Sequence, residues 1–177
     1  MHPNPSFRQD STDRHLDFAA HVGFGMVSAT VDGTQPPMLA HVPFLLSENR
    51  SFAELHLARG NAIVKARKDR LPAAIAIQGP HAYISPDWYA VEDQVPTWNY
   101  VAVHLTGTLV RLAQDEIRRL VEELSDHFEG RIEGKTLWRT DKMTAGTMEK
   151  MLIQIVPFRF EIEDVQGTWK LNQNKQD

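Results

Sequence analysis

The run Tyr100-Val101-Ala102-Val103-His104-Leu105-Thr106-Gly107-Thr108-Leu109-Val110-Arg111-Leu112 decides the fold class. Val101, Val103, Leu105 and Leu109 alternate with Ala102, His104, Thr106 and Thr108. That period of two marks a strand whose two faces meet different surroundings. Gly107 inside the run predicts a bulge or a bend at a barrel corner. Upstream, Ala73–Gln78 reads as a strand that Gly79-Pro80 turns into His81–Ile84, and Phe24–Val31, Met38–Leu46 and Phe52–Leu57 read as three more. Asp32-Gly33 is a turn signal. Downstream, Phe158, Phe160 and Ile162 alternate with Arg159, Glu161 and Glu163 in a closing strand.

The helical segments sit between and around these strands. Ser11 and Thr12 are good N-caps for a first helix over Asp13–Ala20, ending near Gly23. Asn61–Asp69 predicts a short helix that Pro72 cannot continue. Gln114–Phe128 places Ile117, Leu120, Val121 and Leu124 on one stripe. Thr144–Ile153 predicts another helix with Met148, Met151 and Leu152 inward. Many strands, few helices and no βαβ rhythm predict a mainly β protein, a closed antiparallel barrel with peripheral helices. No repeat or linker interrupts the chain, so residues 1–177 read as one domain.

The 177 residues are 42% hydrophobic and 24% charged, an ordinary globular balance. Cysteine is absent, which removes disulfides, thiolate zinc sites and cysteine nucleophiles together. Met1–Asp10 carries prolines and no apolar run, so no secretory signal is visible. No stretch approaches the roughly 18 apolar residues of a membrane span. These features predict a cytoplasmic protein. A formal net charge of -4 gives no overall attraction to nucleic acid. The cluster Lys65, Arg67, Lys68 and Arg70 reads as a solvated face. There is no phosphate-binding P-loop, no G-x-G-x-x-G after a strand, no H-E-x-x-H and no G-x-S-x-G. The eight histidines are scattered without helical metal-ligand spacing.

Four polar-aromatic segments are hard to explain as plain core. They are Ala40-His41-Val42-Pro43-Phe44-Leu45-Leu46, His56-Leu57-Ala58-Arg59-Gly60-Asn61, the pair Gly79–Tyr89 and Val95–Tyr100, and Gly167–Asn174. The runs G-P-H-A-Y-I-S-P-x-W-Y and V-P-T-W-N-Y, with the tail Trp169-Lys170-Leu171-Asn172-Gln173-Asn174, resemble the PaiB-type family. That family is a branch of the FMN-binding split barrels, alongside pyridoxamine-phosphate-oxidase-like and flavin-reductase-like proteins. The resemblance covers nearly the whole chain. It departs from the family at Ala58-Arg59-Gly60-Asn61-Ala62, where A-R-A-N-P with a nearby Trp is usual.

The resemblance implies an FMN-binding split barrel that works as a homodimer, with flavin in a groove touching both chains. Its phosphate calls for charge-assisted donors, and Arg59 supplies a planar fork of them; amides near Asn61 would add more. His41 and His56 could donate to phosphate or ring oxygens, and Ser85, beside Tyr83, could hydrogen-bond the flavin. Trp98, Asn99 and Tyr100 offer an aromatic wall with an amide at its edge. Lys170, Gln173 and Asn174 would close the site from the tail, anchored by Trp169. Each has a structural counterpart: a surface ion pair for Arg59, strand packing for His41 and His56, a Ser-Pro turn for Ser85, rim packing for Trp98 and Tyr100, and a frayed tail. No catalytic residue stands out. Three functions follow as expectations: FMN-dependent redox or flavin sensing; transcriptional regulation through DNA or a partner protein, as the family's designation implies; or haem binding, as in haem-degrading split-barrel relatives.

Overall fold

The computed structural model describes residues 1–31, 36–89 and 92–174. The expected Asp32-Gly33 turn lies outside them. Among the described residues six strands form: β1 (Phe24–Ala29), β2 (Met38–Leu46), β3 (Phe52–Ala58), β4 (Arg70–Ile84), β5 (Thr97–Arg111) and β6 (Ile155–Lys170). They pair antiparallel throughout and close into a barrel in the order β1-β2-β3-β6-β5-β4. Closure leaves no edge strand unpaired, which an open sheet of this length would have to protect.

Alternation decides which side chains fill the interior. Val101, Val103, Leu105 and Leu109 of β5 are buried, together with Ile75 and Ile77 of β4, Leu55 and Leu57 of β3, and Phe158 and Phe160 of β6. Each contributes roughly 1.5–3 kcal/mol by leaving water. The expected irregularity at Gly107 is present, and its extra residue lies on the facing strand. Thr106 pairs with Asp164 and Gly107 with Ile162, so Glu163 has no opposite number. A Cβ on Gly107 would sit 1.9 Å from the Glu161 carbonyl oxygen, so no larger residue fits. The slip reverses the phase of β6, and Val165 joins the core after Phe160.

Two elements differ from the sequence reading. Gly79-Pro80 does not turn one strand into another: β4 runs through it for 15 residues, with a register shift between Gln78 and His81. The helix expected over Asn61–Asp69 is only α2 (Ala62–Lys65). Arg67 takes a left-handed conformation (φ 52°) and ends it, so Pro72 falls in a strand.

The remaining helices follow their patterns. In α1 (Thr12–Val22) the Ser11 hydroxyl accepts from the Arg14 N–H at 3.2 Å, and Gly23 closes the helix at φ 60°. In α3 (Ile117–Glu129) Ile117, Leu120 and Leu124 are buried. In α4 (Thr147–Leu152) Met148 and Leu152 point inward, whereas Met151, expected inward, is 57% exposed. The C-terminal end of β6 is anchored as its tryptophan suggested. The Trp169 indole N–H donates to His15 Nδ1 at 3.1 Å, and the Arg14 guanidinium lies 3.9 Å from the indole centroid. Burial holds the His15 imidazole below its ordinary pKa, with Asp10 opposing and Arg14 reinforcing that effect.

Candidate functional site

The outer faces of β1, β2, β4 and β5 form a groove of about 590 Å³, within the range of small-molecule sites. Residue size across the strands creates the hollow. Its floor carries Met26, Ala76 and Ala102, and register sets Met26 opposite Ala76 and Ala102 opposite Gln78. Its walls carry Phe24, His41, His81, Trp98 and Tyr100. Small side chains in the middle and rings at the margins leave space between them.

The rings are arranged in pairs. Phe24 and His41 are stacked, with centroids 6.4 Å apart and planes at 22°. His81 lies 6.2 Å from Trp98 at 33°, and Tyr83 meets Trp98 edge-on at 6.0 Å. Trp98 is 55% exposed and Phe24 49%, a large apolar display for a barrel surface. His104 also lines the groove, and burial holds its imidazole below the ordinary pKa, which favours the neutral form. Among the described residues no Asp, Glu, Lys or Arg lines this groove. It is therefore a neutral, aromatic-walled slot with imidazole, amide and phenol groups at its polar points.

Of the residues singled out in the sequence, His41, Trp98 and Tyr100 come together here, and Tyr83 joins through Trp98. Lys170 reaches the same rim: it faces Tyr100 across the β5–β6 ladder, and its ammonium donates to the Trp98 carbonyl at 2.5 Å and to the Thr97 hydroxyl. The tail folds back on itself. Gln173 accepts from the Leu171 N–H at 2.8 Å and donates to the Trp169 carbonyl at 2.5 Å, while Asn174 is exposed.

The others lie elsewhere. Arg59 projects from the end of β3, where Nε donates to the Ile153 carbonyl at 2.7 Å and Nη2 to Gln114 Oε1 at 2.8 Å. Asn61 caps α2, its Oδ1 accepting from the Ile63 N–H at 2.9 Å. Ser85 likewise caps a 3₁₀ turn, accepting from the Asp87 N–H at 3.3 Å. Asn99 falls on the opposite face of β5 from Trp98 and Tyr100, with its Oδ1 buried and unpartnered among the described residues. His56 opens onto a separate hollow of about 290 Å³ beside Pro43, Phe128 and Trp138. Its Nδ1 is buried without a partner among the described residues, and desolvation lowers its pKa. Pro43 and Phe24 are register partners, so this hollow adjoins the groove at one β1–β2 rung.

Among the described residues, no group of three or more His, Cys, Asp or Glu converges to hold a metal ion. No helix among them is long and apolar enough to cross a membrane.

The model of the "Putative FMN-binding domain" family matches residues 1–164. The chain belongs to this FMN-binding family. The chain is 33% identical over 171 residues to the Bacillus subtilis protein named protease synthase and sporulation protein PAI 2, covering 96% of this chain and 80% of that one. This agrees with the PaiB-type resemblance. Solved structures with the same fold include the FAD and haem binding protein from Mycobacterium smegmatis (TM-score 0.67, 18% identity, 93% of this chain and 74% of that one). The flavocytochrome Anf3 from Azotobacter vinelandii is another (TM-score 0.60, 9% identity, 96% and 72%). The barrel is thus a split barrel, and FMN is the cofactor that the family assignment supports.

The groove fits the flat part of FMN: two ring walls, a floor of methyl groups and neutral hydrogen-bonding points. Among the described residues no cation lines it to meet the phosphate; Lys170 stands at the rim, and Arg59 is at another corner. Phe24, Met26, Gln78, His81, Ala102 and His104 escaped the sequence reading. Alternation alone sets Ala102 and His104 on the Tyr100 face, so that part of the signal was present.

Proposed function

We propose that this chain is a homodimeric FMN-binding protein, with the flavin ring in the groove of β1, β2, β4 and β5 and a second copy covering it. The observation that carries this reading is the neutral slot between Phe24–His41 and Trp98–Tyr100. So much exposed aromatic surface on one barrel face is the kind that a ligand or a partner normally covers. The phosphate then finds its cations outside the slot, at Arg59 beside Asn61 or at Lys170, from either copy. His56 lies on β3, the strand that ends just before Arg59. Tyr83 supports the rim through its edge-on contact with Trp98, while Gln173 braces the tail that carries Lys170.

FMN bound there supplies one- and two-electron transfer. The chain's part is to hold the ring, exclude water from its face and set the hydrogen bonds at its edge. The role is redox exchange with a small substrate or sensing of the flavin itself. A regulatory output, which the PaiB-type resemblance implies, would run through a protein partner, because an overall charge of -4 does not draw the chain to DNA.

Titration of the purified protein with FMN, followed by flavin fluorescence, tests the reading alongside light scattering for mass. Saturable binding by a dimer is expected. Arg59→Ala should weaken FMN by roughly tenfold or more if its guanidinium holds the phosphate, and should affect riboflavin, which lacks phosphate, little. A wild-type protein that ignores FMN would remove the reading; equal FMN affinity in Arg59→Ala would remove Arg59 from it.

Haem is a second reading, favoured by the imidazoles of His41, His81 and His104 in one groove. A Soret band on adding haem, lost in one histidine variant, is its signature.

A further inference from the structure

The β4 irregularity bears on which polar group meets the ligand. Gln78 pairs with Ala102 and His81 with Tyr100, so Gly79 and Pro80 together face the single residue Val101. In an unbroken strand, Gln78 and residue 80 would share the outer face and His81 would turn toward the interior. The extra residue reverses that phase. Gln78 and His81 both line the groove, and Tyr83 follows on the same side. Re-aiming a side chain in this way is a recurrent use of bulges.

The bulge is built for its place. A Cβ on Gly79 would lie 2.6 Å from Phe18 Cζ and 3.0 Å from Val101 Cβ, so any larger residue would have to push the Phe18 ring and β5 aside. Pro80 has no N–H to leave unpaired at the break in the ladder. The side chains it brings together interact: Gln78 Nε2 lies 3.1 Å from His81 Nδ1. An amide nitrogen only donates, so Nδ1 accepts and the ring proton resides on Nε2. The competing contact from Nδ1 to the Gly79 carbonyl is longer, at 3.4 Å. Trp98, tilted 33° to the imidazole, backs the ring, and its own carbonyl is held by Lys170. Nε2 has no partner among the described residues.

We propose that His81 is a ligand-binding residue, its Nε2–H donating to a ring carbonyl or an unprotonated ring nitrogen of the molecule in the groove, and that Gln78 positions it by fixing its tautomer. This rests on the reading that the groove holds a flavin, whose pyrimidine edge carries two carbonyls. The absence of carboxylates and cations among the described lining residues leaves a neutral donor as the natural partner for such an edge.

Three variants separate the roles. His81→Phe keeps a flat ring against Trp98 and removes the donor; His81→Gln restores an N–H; Gln78→Leu removes the tautomer hold. Affinity for FMN should fall about three- to tenfold in His81→Phe, the effect of one neutral hydrogen bond, and recover to within about threefold of wild type in His81→Gln. The bound flavin's midpoint potential should shift in His81→Phe and return toward the wild-type value in His81→Gln. In the protein without FMN, at pH 8, the imidazole ¹⁵N shifts of His81 should show the Nε2-protonated tautomer, turning to a mixture in Gln78→Leu. Wild-type binding with an unchanged His81→Phe would overturn the His81 assignment while leaving the flavin reading intact. Failure of the wild type to bind FMN would overturn both. An Nδ1-protonated His81 would overturn the assignment without reference to FMN.

Discussion

The barrel has two outer faces of opposite character. On one, α3 lies over β2, β3 and β6 with its Leu120 and Leu124 buried, and a cluster of charges ties it down. Glu54, 6% exposed, receives Arg119 at 2.9 Å and Arg159 at 2.9 and 3.2 Å. Arg119 also holds Glu116 and Glu123 of its own helical segment, each at 2.9 Å, and Arg159 stacks 4.2 Å from the Phe52 ring centroid. On the other, β1, β2, β4 and β5 carry methyl groups and rings, and no ion pair crosses the groove among its described lining residues. The same strand architecture thus commits one face to holding its own helix. The other is left uncovered and neutral, suited to binding something from outside.

Substitutions can break that contrast. Glu54→Ala removes the carboxylate between two guanidinium groups and should cost about 3 kcal/mol, the low end for breaking a buried pair, because Arg119 and Arg159 retain 40% and 39% exposure. Urea unfolding reads this, and FMN affinity should stay near wild type. Trp98→Ala is the converse. Stability should change by less than about 0.5 kcal/mol, as for most surface positions, while FMN binding weakens roughly tenfold through loss of stacking area.

The smallest effect concerns His56, at the seam between the faces. Replacing it with Leu removes a buried, unpartnered Nδ1 and should leave stability unchanged or raise it by about 1 kcal/mol. It should also flatten part of the acid limb. His56 has a lowered pKa in the folded chain through desolvation, so above about 6.5 both folded and unfolded forms are neutral there. As pH falls below that value the unfolded chain takes up a proton that the fold resists, and stability declines. His15, His104 and His127, lowered first by desolvation, act in the same direction. Urea midpoints between pH 7.5 and 5 should therefore fall less steeply in His56→Leu than in wild type.

The framework of the barrel was legible because it depends on local repetition. The alternation in β5, the Gly107 irregularity and the Ile117–Leu120–Leu124 stripe each state their environment within a few residues. The family motifs were legible for the same reason. The groove was not, because concavity is a property of several strands at once. Ala76 and Ala102 carry no signal until register places them diagonally on neighbouring strands in the groove that Trp98 and His41 also line. Gly79-Pro80 reads as a turn in isolation and becomes a bulge only because β5 continues opposite it. Arg59 reads in the sequence as a free cation, and only the fold reveals Ile153 and Gln114, distant in sequence, as acceptors beside it. Asn61 and Ser85 illustrate a different ambiguity: a residue type suited to bonding a ligand is equally suited to capping its own backbone.

Methyl NMR of Met- and Ala-labelled protein during FMN titration tests the assignment of the open face most directly. The account predicts large shifts for Met26, Ala76 and Ala102 on the groove floor and essentially none for Met148 of α4, which is buried against Ile117 of α3 and does not line the groove. Saturable binding that leaves those three methyls unmoved would contradict it.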